Sequence, residues 1–330
     1  MKMYSLYFSF CLLLFTSSPL YPQVKLILDT DFGGDADDLG AVAMLHNFVE
    51  RAECELLGIV CWSTERYAVS AIDAVNRFYK HPDVPIGVRK AETHEVDWNH
   101  SKIITENFPY EIDYESAEES TSLYRRLLAE NKDHSVTIVT VGPLKNIQDL
   151  LQSGADQISL LDGKTLVEKK GKEFVIMGGQ YPEGKWEWNF NGNMPGVTRY
   201  VLGKLKVPIT FLGYELGQPI KTGEVFNEIN QQSPLYIGFK HFSEHASWVN
   251  KEYKGKILDN STYDQTAVLY AVRDGVGTWW DRIDEGYCVA DNEGGNIWKK
   301  GAKYDHSYLK LRISHEEMAA LIESFMLNSF

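Results

Sequence analysis

Short apolar runs alternate with segments of helical periodicity along most of the chain, and this alternation is the feature that most restricts the fold. Residues 24–29 (VKLILD), 56–61 (LLGIVC) and 135–141 (SVTIVTV) are short enough to be buried strands. Residues 39–49 have apolar side chains at helical spacing. This order predicts an α/β fold with a mainly parallel central sheet flanked by helices. Because no repeat or flexible linker divides the sequence, we expect a single domain over residues 24–330.

Ligands of such sheets bind beyond the carboxyl ends of the strands. We therefore expect functional side chains in the segments that follow Asp29, Cys61, Val141, Met177 and Leu212. Residues 89–115 have no clear periodicity, and we interpret them as a long loop after the third strand.

The N-terminal segment has the pattern of a secretory signal. Lys2 precedes an apolar run over residues 6–15, and small residues follow at positions 16–18. The run is shorter than the roughly 20 residues that span a bilayer. We expect residues 1–23 to be a cleaved signal peptide and the mature protein to be secreted or periplasmic. A buried N-terminal strand is the alternative.

The charge balance argues against nucleic-acid polymers as partners. The chain has 33 Lys and Arg against 46 Asp and Glu, a net charge of −13, whereas phosphate recognition depends on clustered basic side chains. Beyond residue 23 only Cys54, Cys61 and Cys288 remain, too few for a disulfide scaffold. No further stretch is apolar enough to span a membrane.

The segment after the first strand is unusually acidic. Residues 29–38 read DTDFGGDADD and contain five carboxylates, at Asp29, Asp31, Asp35, Asp37 and Asp38. Like charges gathered at one site repel each other unless a cation is bound. Oxygen ligands without Cys or clustered His suit a hard cation, Ca²⁺ or Mg²⁺. Helix N-capping and plain solvation are the alternative explanations for some of these residues.

Five sequence blocks, in order, resemble one known family. Residues 26–45 (LILDTDFGGDADDLGAVAML) are similar to the N-terminal signature of the inosine–uridine-preferring nucleoside hydrolases. Residues 140–147 (TVGPLKNI), 175–179 (VIMGG) and 187–191 (EWNFN) resemble later blocks of that family, and Tyr263-Asp264 stands where it has a His-Asp pair. The resemblance extends over residues 24 to about 275 and implies the nucleoside-hydrolase fold.

The resemblance implies calcium-dependent hydrolysis of the N-glycosidic bond of a ribonucleoside or related ribosyl compound. In that family a metal-bound water attacks the sugar, and Asp31 would be its general base. The implied Ca²⁺ ligands are Asp31, Asp38, Asp264 and the Val141 carbonyl. The implied substrate-binding residues are Asp37, Asn189 and Asn191 toward the ribose, with Trp188 and Tyr263 in the same site.

Several residues depart from the family pattern. Tyr263 replaces the His that helps protonate the leaving base, and a phenol is a weaker acid than an imidazolium. Asn189 stands where a Glu is usual, and Asp35 has no counterpart. His100, in the long loop, is the candidate replacement acid, and ordinary solvation is its alternative. The tryptophans near these blocks have core packing as their alternative role.

Two other functions are consistent with these residues. The first is a non-catalytic, Ca²⁺-dependent ribose- or nucleoside-binding protein that has lost the leaving-group acid. The second is a phosphohydrolase with Asp29 as nucleophile and Asp31 as acid, although basic phosphate ligands are missing downstream. We expect a small-molecule ribosyl partner in the leading case, and homo-oligomer formation is left open.

Overall fold

The computed structural model describes residues 23–328. The predicted signal peptide, residues 1–23, lies outside this part of the chain except for its last residue, so its cleavage remains a prediction. Within residues 23–328 no helix has both the length and the apolar character needed to cross a bilayer.

Strands and helices alternate over most of the described chain, as the sequence pattern predicts. The strands of residues 23–328 are β1 (Val24–Thr30), β2 (Cys54–Cys61), β3 (Ile86–Val88), β4 (Glu118–Glu119), β5 (Val136–Thr140), β6 (Gly171–Met177), β7 (Glu183–Gly184), β8 (Ile209–Leu212), β9 (Lys221–Thr222), β10 (Asn260–Ser261), β11 (Trp280–Ile283), β12 (Tyr287–Ala290), β13 (Asn296–Lys299) and β14 (His306–Leu311). The α-helices of the same residues are α1 (Ala36–Glu50), α2 (Ala68–Phe78), α3 (Ser101–Asn107), α4 (Ser120–Glu130), α5 (Lys145–Gln152), α6 (Gly163–Lys170), α7 (Trp188–Asn191), α8 (Val197–Lys204), α9 (Tyr214–Gly217), α10 (Pro234–His245), α11 (Asp264–Arg273) and α12 (His315–Met326).

A nine-stranded sheet forms the centre of the described residues, in the order β11-β14-β8-β6-β5-β1-β2-β3-β4. All neighbouring pairs in it are parallel except β11 with β14. Strand β1 lies between β5 and β2, and Asp29 is level with both Thr140 and Val60. The chain adds strands on the β2 side first and on the β5 side afterwards. The switch between these directions, where α/β folds bind ligands, is therefore beside β1.

The two faces of this sheet have separate hydrophobic cores. Along β1, Leu26 and Leu28 belong to one core and Ile27 to the other, because successive side chains of a strand point to opposite faces. Helix α1 packs against α10, α11 and α12 on the first face. It is buried over nearly its whole length, which fixes the position of the acidic residues at its start.

The structure differs from the sequence prediction in the long loop. Residues 89–115 include a helical stretch, α3, that the sequence pattern did not predict. Only Ser101 and Ile104 of this helix are buried, so its apolar stripe is too narrow to produce a clear periodicity. The three described cysteines are buried and free, as expected for inert thiols.

Candidate active site

A cavity of about 810 Å³ opens at the carboxyl ends of five neighbouring strands of the sheet. Its lining includes Asp31 after β1, Trp62 after β2, Val141 after β5, Met177 at the end of β6 and Tyr214 after β8. These are the segments in which the sequence places functional side chains.

Two glycines allow the chain segments around the acidic loop to approach each other. Gly33 has a φ of +94°, and a Cβ there would lie 2.3 Å from the Asn99 side chain. A Cβ on Gly142 would lie 2.8 Å from the backbone nitrogen of Asp31. The loop after β5 can therefore reach Asp31 only because residue 142 has no side chain.

Three buried carboxylates meet in the cavity. Asp37 and Asp38 lie in the first turn of α1, Asp264 begins α11, and ligand oxygens from all three lie within 4.8 Å of one another. Asp37 accepts hydrogen bonds from the backbone nitrogens of Tyr263 (3.2 Å) and Asp264 (3.3 Å), and Asp38 accepts one from the Thr30 hydroxyl. Among the described residues, no Lys or Arg forms an ion pair with them.

Burial and mutual repulsion make these carboxylates hard to ionise without a cation. Burial raises the pKa of Asp37 to about 7, against the opposing hydrogen bonds from two backbone N–H groups. Burial first, and the neighbouring carboxylates second, raise the pKa values of Asp38 and Asp264 well above the ordinary range. An all-oxygen set of this kind fits a hard divalent cation, whose charge offsets both effects.

Asp31 lies beside the cluster, with its own partner. The Trp188 indole N–H donates to the Asp31 carboxylate at 3.0 Å. Burial raises the pKa of Asp31 to about 6, and the bond from Trp188 opposes that rise. Asp31 is thus a buried carboxylate whose orientation is restrained by the Trp188 indole.

A polar wall formed by the start of α7 faces the acidic loop. Asn189 donates from its side-chain amide to the carbonyls of Val141 (3.0 Å) and Met177 (3.2 Å). Glu187 caps α7, and its carboxylate accepts from the backbone nitrogens of Gly179, Asn189 and Phe190. Burial raises the pKa of Glu187 to about 7. This carboxylate lines the cavity.

Aromatic side chains form a large part of the remaining lining. Five tryptophans and two tyrosines contribute, namely Trp62, Trp98, Trp186, Trp188, Trp248, Tyr214 and Tyr263. Trp62 meets Trp188 edge-on with ring centroids 6.4 Å apart, and Tyr214 stacks on Tyr263 at 5.4 Å. The outer part of the cavity therefore suits a flat ring or a sugar face.

Comparison with known families decides the classification. The family model "Inosine-uridine preferring nucleoside hydrolase" matches residues 26–310. The chain belongs to this family. Nucleoside hydrolases are N-glycosidases, so the chain is classed among the N-glycoside hydrolases, as the sequence blocks predict.

Solved nucleoside hydrolase structures share the fold. A plant nucleoside hydrolase, the PpNRh1 enzyme, has a TM-score of 0.69 at 15% identity and covers 92% of this chain and 99% of its own. A purine-preferring ribonucleoside hydrolase from Gardnerella vaginalis has a TM-score of 0.65 at 16% identity. The match covers 92% of this chain and 96% of that one. The inosine-uridine preferring nucleoside hydrolase of Bacillus anthracis has a TM-score of 0.64 at 12% identity. The match covers 92% of this chain and 99% of that one. No curated protein sequence shows significant similarity to the chain.

The fold brings together most of the residues that the nucleoside hydrolase signature singles out. The cavity lining includes eight of them: Asp31, Asp37, Asp38, Val141, Trp188, Asn189, Tyr263 and Asp264. Asp35 also lines it, caps α1 and accepts hydrogen bonds from Ala36 N (2.6 Å) and from the Asn260 side chain.

His100 and Asn191 are the two predicted site residues that do not line the cavity. His100 is fully buried edge-on against Phe32, and neither of its ring nitrogens has a hydrogen-bond partner among the described residues. Burial lowers its pKa to about 3, which favours the neutral imidazole. Asn191 donates away from the cavity, to the carbonyl of Glu293 at 2.7 Å.

Two other residues from the same loops line the cavity instead. Asn193 and His94 line the cavity, and His94 contacts the Thr64 hydroxyl through Nδ1 at 3.2 Å. Glu187 also lines the cavity, although the resemblance to the family singles out Asn189 and not the Glu two positions before it.

The structure does not support the phosphohydrolase alternative. Both carboxylate oxygens of Asp29 are engaged below the cavity, by the Tyr124 hydroxyl at 2.7 Å and the Asn146 amide at 3.1 Å. Asp29 is absent from the described lining, which also contains no Lys or Arg to bind a phosphate. The Asp29 side chain holds β1 against α4 and α5.

Proposed function

We propose that the protein hydrolyses the N-glycosidic bond of a ribonucleoside or related ribosyl compound in a calcium-dependent reaction. The observation that carries the proposal is the union of the three-carboxylate cluster, Asp31 and an aromatic outer wall in one cavity. Family membership supports the reaction class.

The proposed calcium ligands are Asp31, Asp38, Asp264 and the Val141 carbonyl. Asp38 and Asp264 belong to the buried three-carboxylate cluster, whose third member is Asp37, and Asp31 and Val141 line the same cavity. When bound there, Ca²⁺ would lower the pKa of a coordinated water and so make it a better nucleophile.

Asp31 accepts the proton of the attacking water in this proposal. The Trp188 indole fixes the carboxylate by its hydrogen bond at 3.0 Å, which reduces the number of orientations it can adopt. As the C1′–N bond breaks, the ribosyl group gains positive charge, and the surrounding carboxylates stabilise that charge.

Asp37 and Asn189 are the proposed ribose ligands. The Asn189 amide nitrogen is already engaged by two carbonyls, so its side-chain oxygen is the atom that remains for a hydroxyl group. Asp37 is held by the backbone of Tyr263 and Asp264, which keeps its carboxylate within the three-carboxylate cluster. Tyr263 and Trp188 contribute ring surface from the same segments.

A panel of purine and pyrimidine ribonucleosides tests the proposal. The protein is loaded with Ca²⁺, calcium binding is measured by calorimetry, and released reducing sugar is followed for each nucleoside. We expect calcium binding and release of ribose from at least one nucleoside, with loss of release after chelation. Calcium binding without release from any ribosyl compound contradicts it.

A non-catalytic ribose- or nucleoside-binding function is the second candidate. Two observations favour it. Tyr263 stands where the family has the His that helps protonate the leaving base, and His100 is packed outside the cavity. In that case calorimetry shows calcium-dependent nucleoside binding, while no ribose is released over many hours.

We also propose that residues 1–23 direct export and are then removed. The support is the sequence pattern of a positive start, a short apolar run and small residues. N-terminal sequencing of the protein recovered outside the cytoplasm tests this, and a secreted chain that begins at Met1 contradicts it.

A further inference from the structure

The walls of the active-site cavity are strongly acidic. Besides the four carboxylates assigned to the cation and the sugar, Asp35, Glu65 and Glu187 line the cavity, and the described lining contains no Lys or Arg. The Arg89 guanidinium lies outside the lining, over the Trp62 ring at 5.1 Å. No basic side chain of the described lining offsets these carboxyl groups, so a ligand that carries positive charge is favoured in the cavity over a neutral one.

The outer part of the cavity offers indole faces to such a ligand. Trp98 and Trp248 meet at 5.0 Å and an angle of 73°, and they join the loop before α3 to the segment after α10. Trp186 and Trp248 are each 53% exposed. Indole rings attract a cation through the negative charge of the ring face. A neutral flat ring gains the stacking alone.

The reaction itself distinguishes cationic from neutral leaving groups. In a neutral nucleoside, the electron pair of the C1′–N bond leaves a negative charge on the base, which must then be protonated. In a cationic N-riboside the same electron pair neutralises the ring nitrogen, so no acid is needed. Most aromatic side chains of the described lining are indoles, whose N–H groups do not act as acids at ordinary pH. His94 is the one imidazole of that lining, and its Nδ1 contacts the Thr64 hydroxyl.

We propose that the preferred substrates are N-ribosides with a permanently cationic ring, such as pyridinium or N7-alkylpurinium ribosides. This inference rests on the proposed hydrolase function. Water adds through oxygen to C1′, the C1′–N bond breaks, and its electron pair stays on the ring nitrogen. The water proton goes to Asp31 and then to solvent, so the products are ribose, a neutral heterocycle and one proton.

Matched pairs of ligands test the preference. Steady-state hydrolysis of N7-methylguanosine is compared with that of guanosine, which lacks the methyl group and its positive charge. Each kcat/KM value is divided by the spontaneous hydrolysis rate in the same calcium buffer, because the cationic compound is intrinsically more labile. We expect the corrected value to be at least about ten-fold higher for the methylated nucleoside.

A binding comparison gives a readout that does not depend on turnover. The cation 1-methylnicotinamide and its neutral isostere 3-methylbenzamide are titrated into the calcium-loaded protein. We expect the cation to bind at least about ten-fold more tightly, which corresponds to about 1.4 kcal/mol. Trp186→Leu and Trp248→Leu should each reduce this ratio about three-fold or more. Tyr110→Leu, which changes an exposed aromatic side chain outside the cavity lining, should leave it unchanged.

The two proposals fail in different ways. If guanosine is cleaved and neither comparison favours the cation, the inference is wrong and the hydrolase proposal stands. If no riboside is cleaved although calcium binds, the hydrolase proposal is wrong. The preference between 1-methylnicotinamide and 3-methylbenzamide then decides alone whether the cavity selects cations.

Discussion

The side chain on which the proposed chemistry depends most is Asp31. It lies at the end of β1, is buried, and keeps one oxygen against the Trp188 indole. The other carboxylates of the cavity are engaged differently, since Asp37 accepts two backbone N–H groups and Asp38 accepts the Thr30 hydroxyl. Asp31 is therefore the carboxylate best suited to receive a proton during the reaction.

Asp31→Asn should lower kcat about 10²–10⁴-fold, because an amide cannot accept the proton of the attacking water. The change preserves shape and keeps an oxygen for the indole N–H. Steady-state kinetics on a cleaved nucleoside measure the effect, and circular dichroism checks the fold. Asp281→Asn, at a half-exposed ion pair with Arg312, is the matched control and should change kcat less than two-fold. Retention of more than a tenth of wild-type kcat in Asp31→Asn would exclude a general base at this position.

Residue identities were easier to predict from the sequence than side-chain directions. The motif places Asp31, Asp37, Asp38 and Asp264 correctly in one cavity, because those residues begin or precede helices whose burial fixes them. His100 lies outside the cavity, which the sequence does not indicate, because a polar residue in an aperiodic segment gives no sign of whether it faces a core or a cavity. The unpredicted helix α3 starts at Ser101 and turns His100 toward Phe32.

At the scale of elements, the short helix α7 links the sugar-facing wall to the sheet. Glu187 supplies its N-terminal cap and ties Gly179, after β6, to the start of the helix. A carboxylate is required there because three N–H groups donate to it, and all are away from bulk water. Helix α7 also positions Trp188 and Asn189. A change to the Glu187 cap should therefore alter the positions of these two site residues.

Glu187→Gln should destabilise the protein by about 1–3 kcal/mol, because the amide NH₂ opposes backbone donors that the carboxylate satisfied. It should also lower kcat/KM, since Trp188 and Asn189 would lose their fixed positions. Urea unfolding and steady-state kinetics measure the two effects. Glu183→Gln, on the exposed strand β7, is the control and should have neither effect. Unchanged stability in Glu187→Gln would show that the cap is dispensable.

A buried histidine connects α1 to α2 by a hydrogen bond. His46 Nε2–H donates to Asn76 Oδ1 at 2.8 Å, which leaves Nδ1 to accept from His81 at 2.9 Å. Burial lowers the pKa of His46 to about 3. The folded protein thus keeps this imidazole neutral where the unfolded chain, with an ordinary pKa near 6.5, binds a proton.

His46 should therefore make the free energy of unfolding fall as the pH drops below about 6.5 toward 3. Glutamine does not titrate, so His46→Gln should make the free energy of unfolding depend less steeply on pH. The slope should fall by the equivalent of up to one bound proton, or about 1.4 kcal/mol per pH unit. Urea unfolding at several pH values between 7 and 4, with calcium held constant, measures the slopes. The exposed His315→Gln should keep the wild-type slope. Equal slopes in all three proteins would mean that His46 is protonated in the folded state.

At the scale of the whole molecule, alternating strands and helices were enough to predict the α/β class and the parallel sheet. They did not predict the strand order, which depends on pairing between distant segments, or the antiparallel β11. The position of the site was predictable in outline because all parallel strands end at one edge. Its aromatic wall was not, since Trp98 and Trp248 come from loops without periodicity and meet only through the fold.

Cation removal should lower the stability of the whole molecule. Asp37, Asp38 and Asp264 are buried together, and their raised pKa values mean that ionising them without a cation costs free energy. Calcium at about 100 times its Kd should add about 2.7 kcal/mol, which for a chain of this size is a rise in Tm of several degrees. Differential scanning calorimetry in calcium and in EGTA measures the difference.

Asp264→Asn separates this explanation from a general salt effect. Replacing one of three mutually repelling carboxylates with an amide should raise Tm in EGTA, because less charge is buried. The same change should remove at least half of the increase that calcium gives, since a ligand has lost its charge. Asp281→Asn should behave as wild type in both buffers. If calcium raised the Tm of Asp264→Asn as much as it raises the Tm of the wild type, the cation would bind outside this cluster.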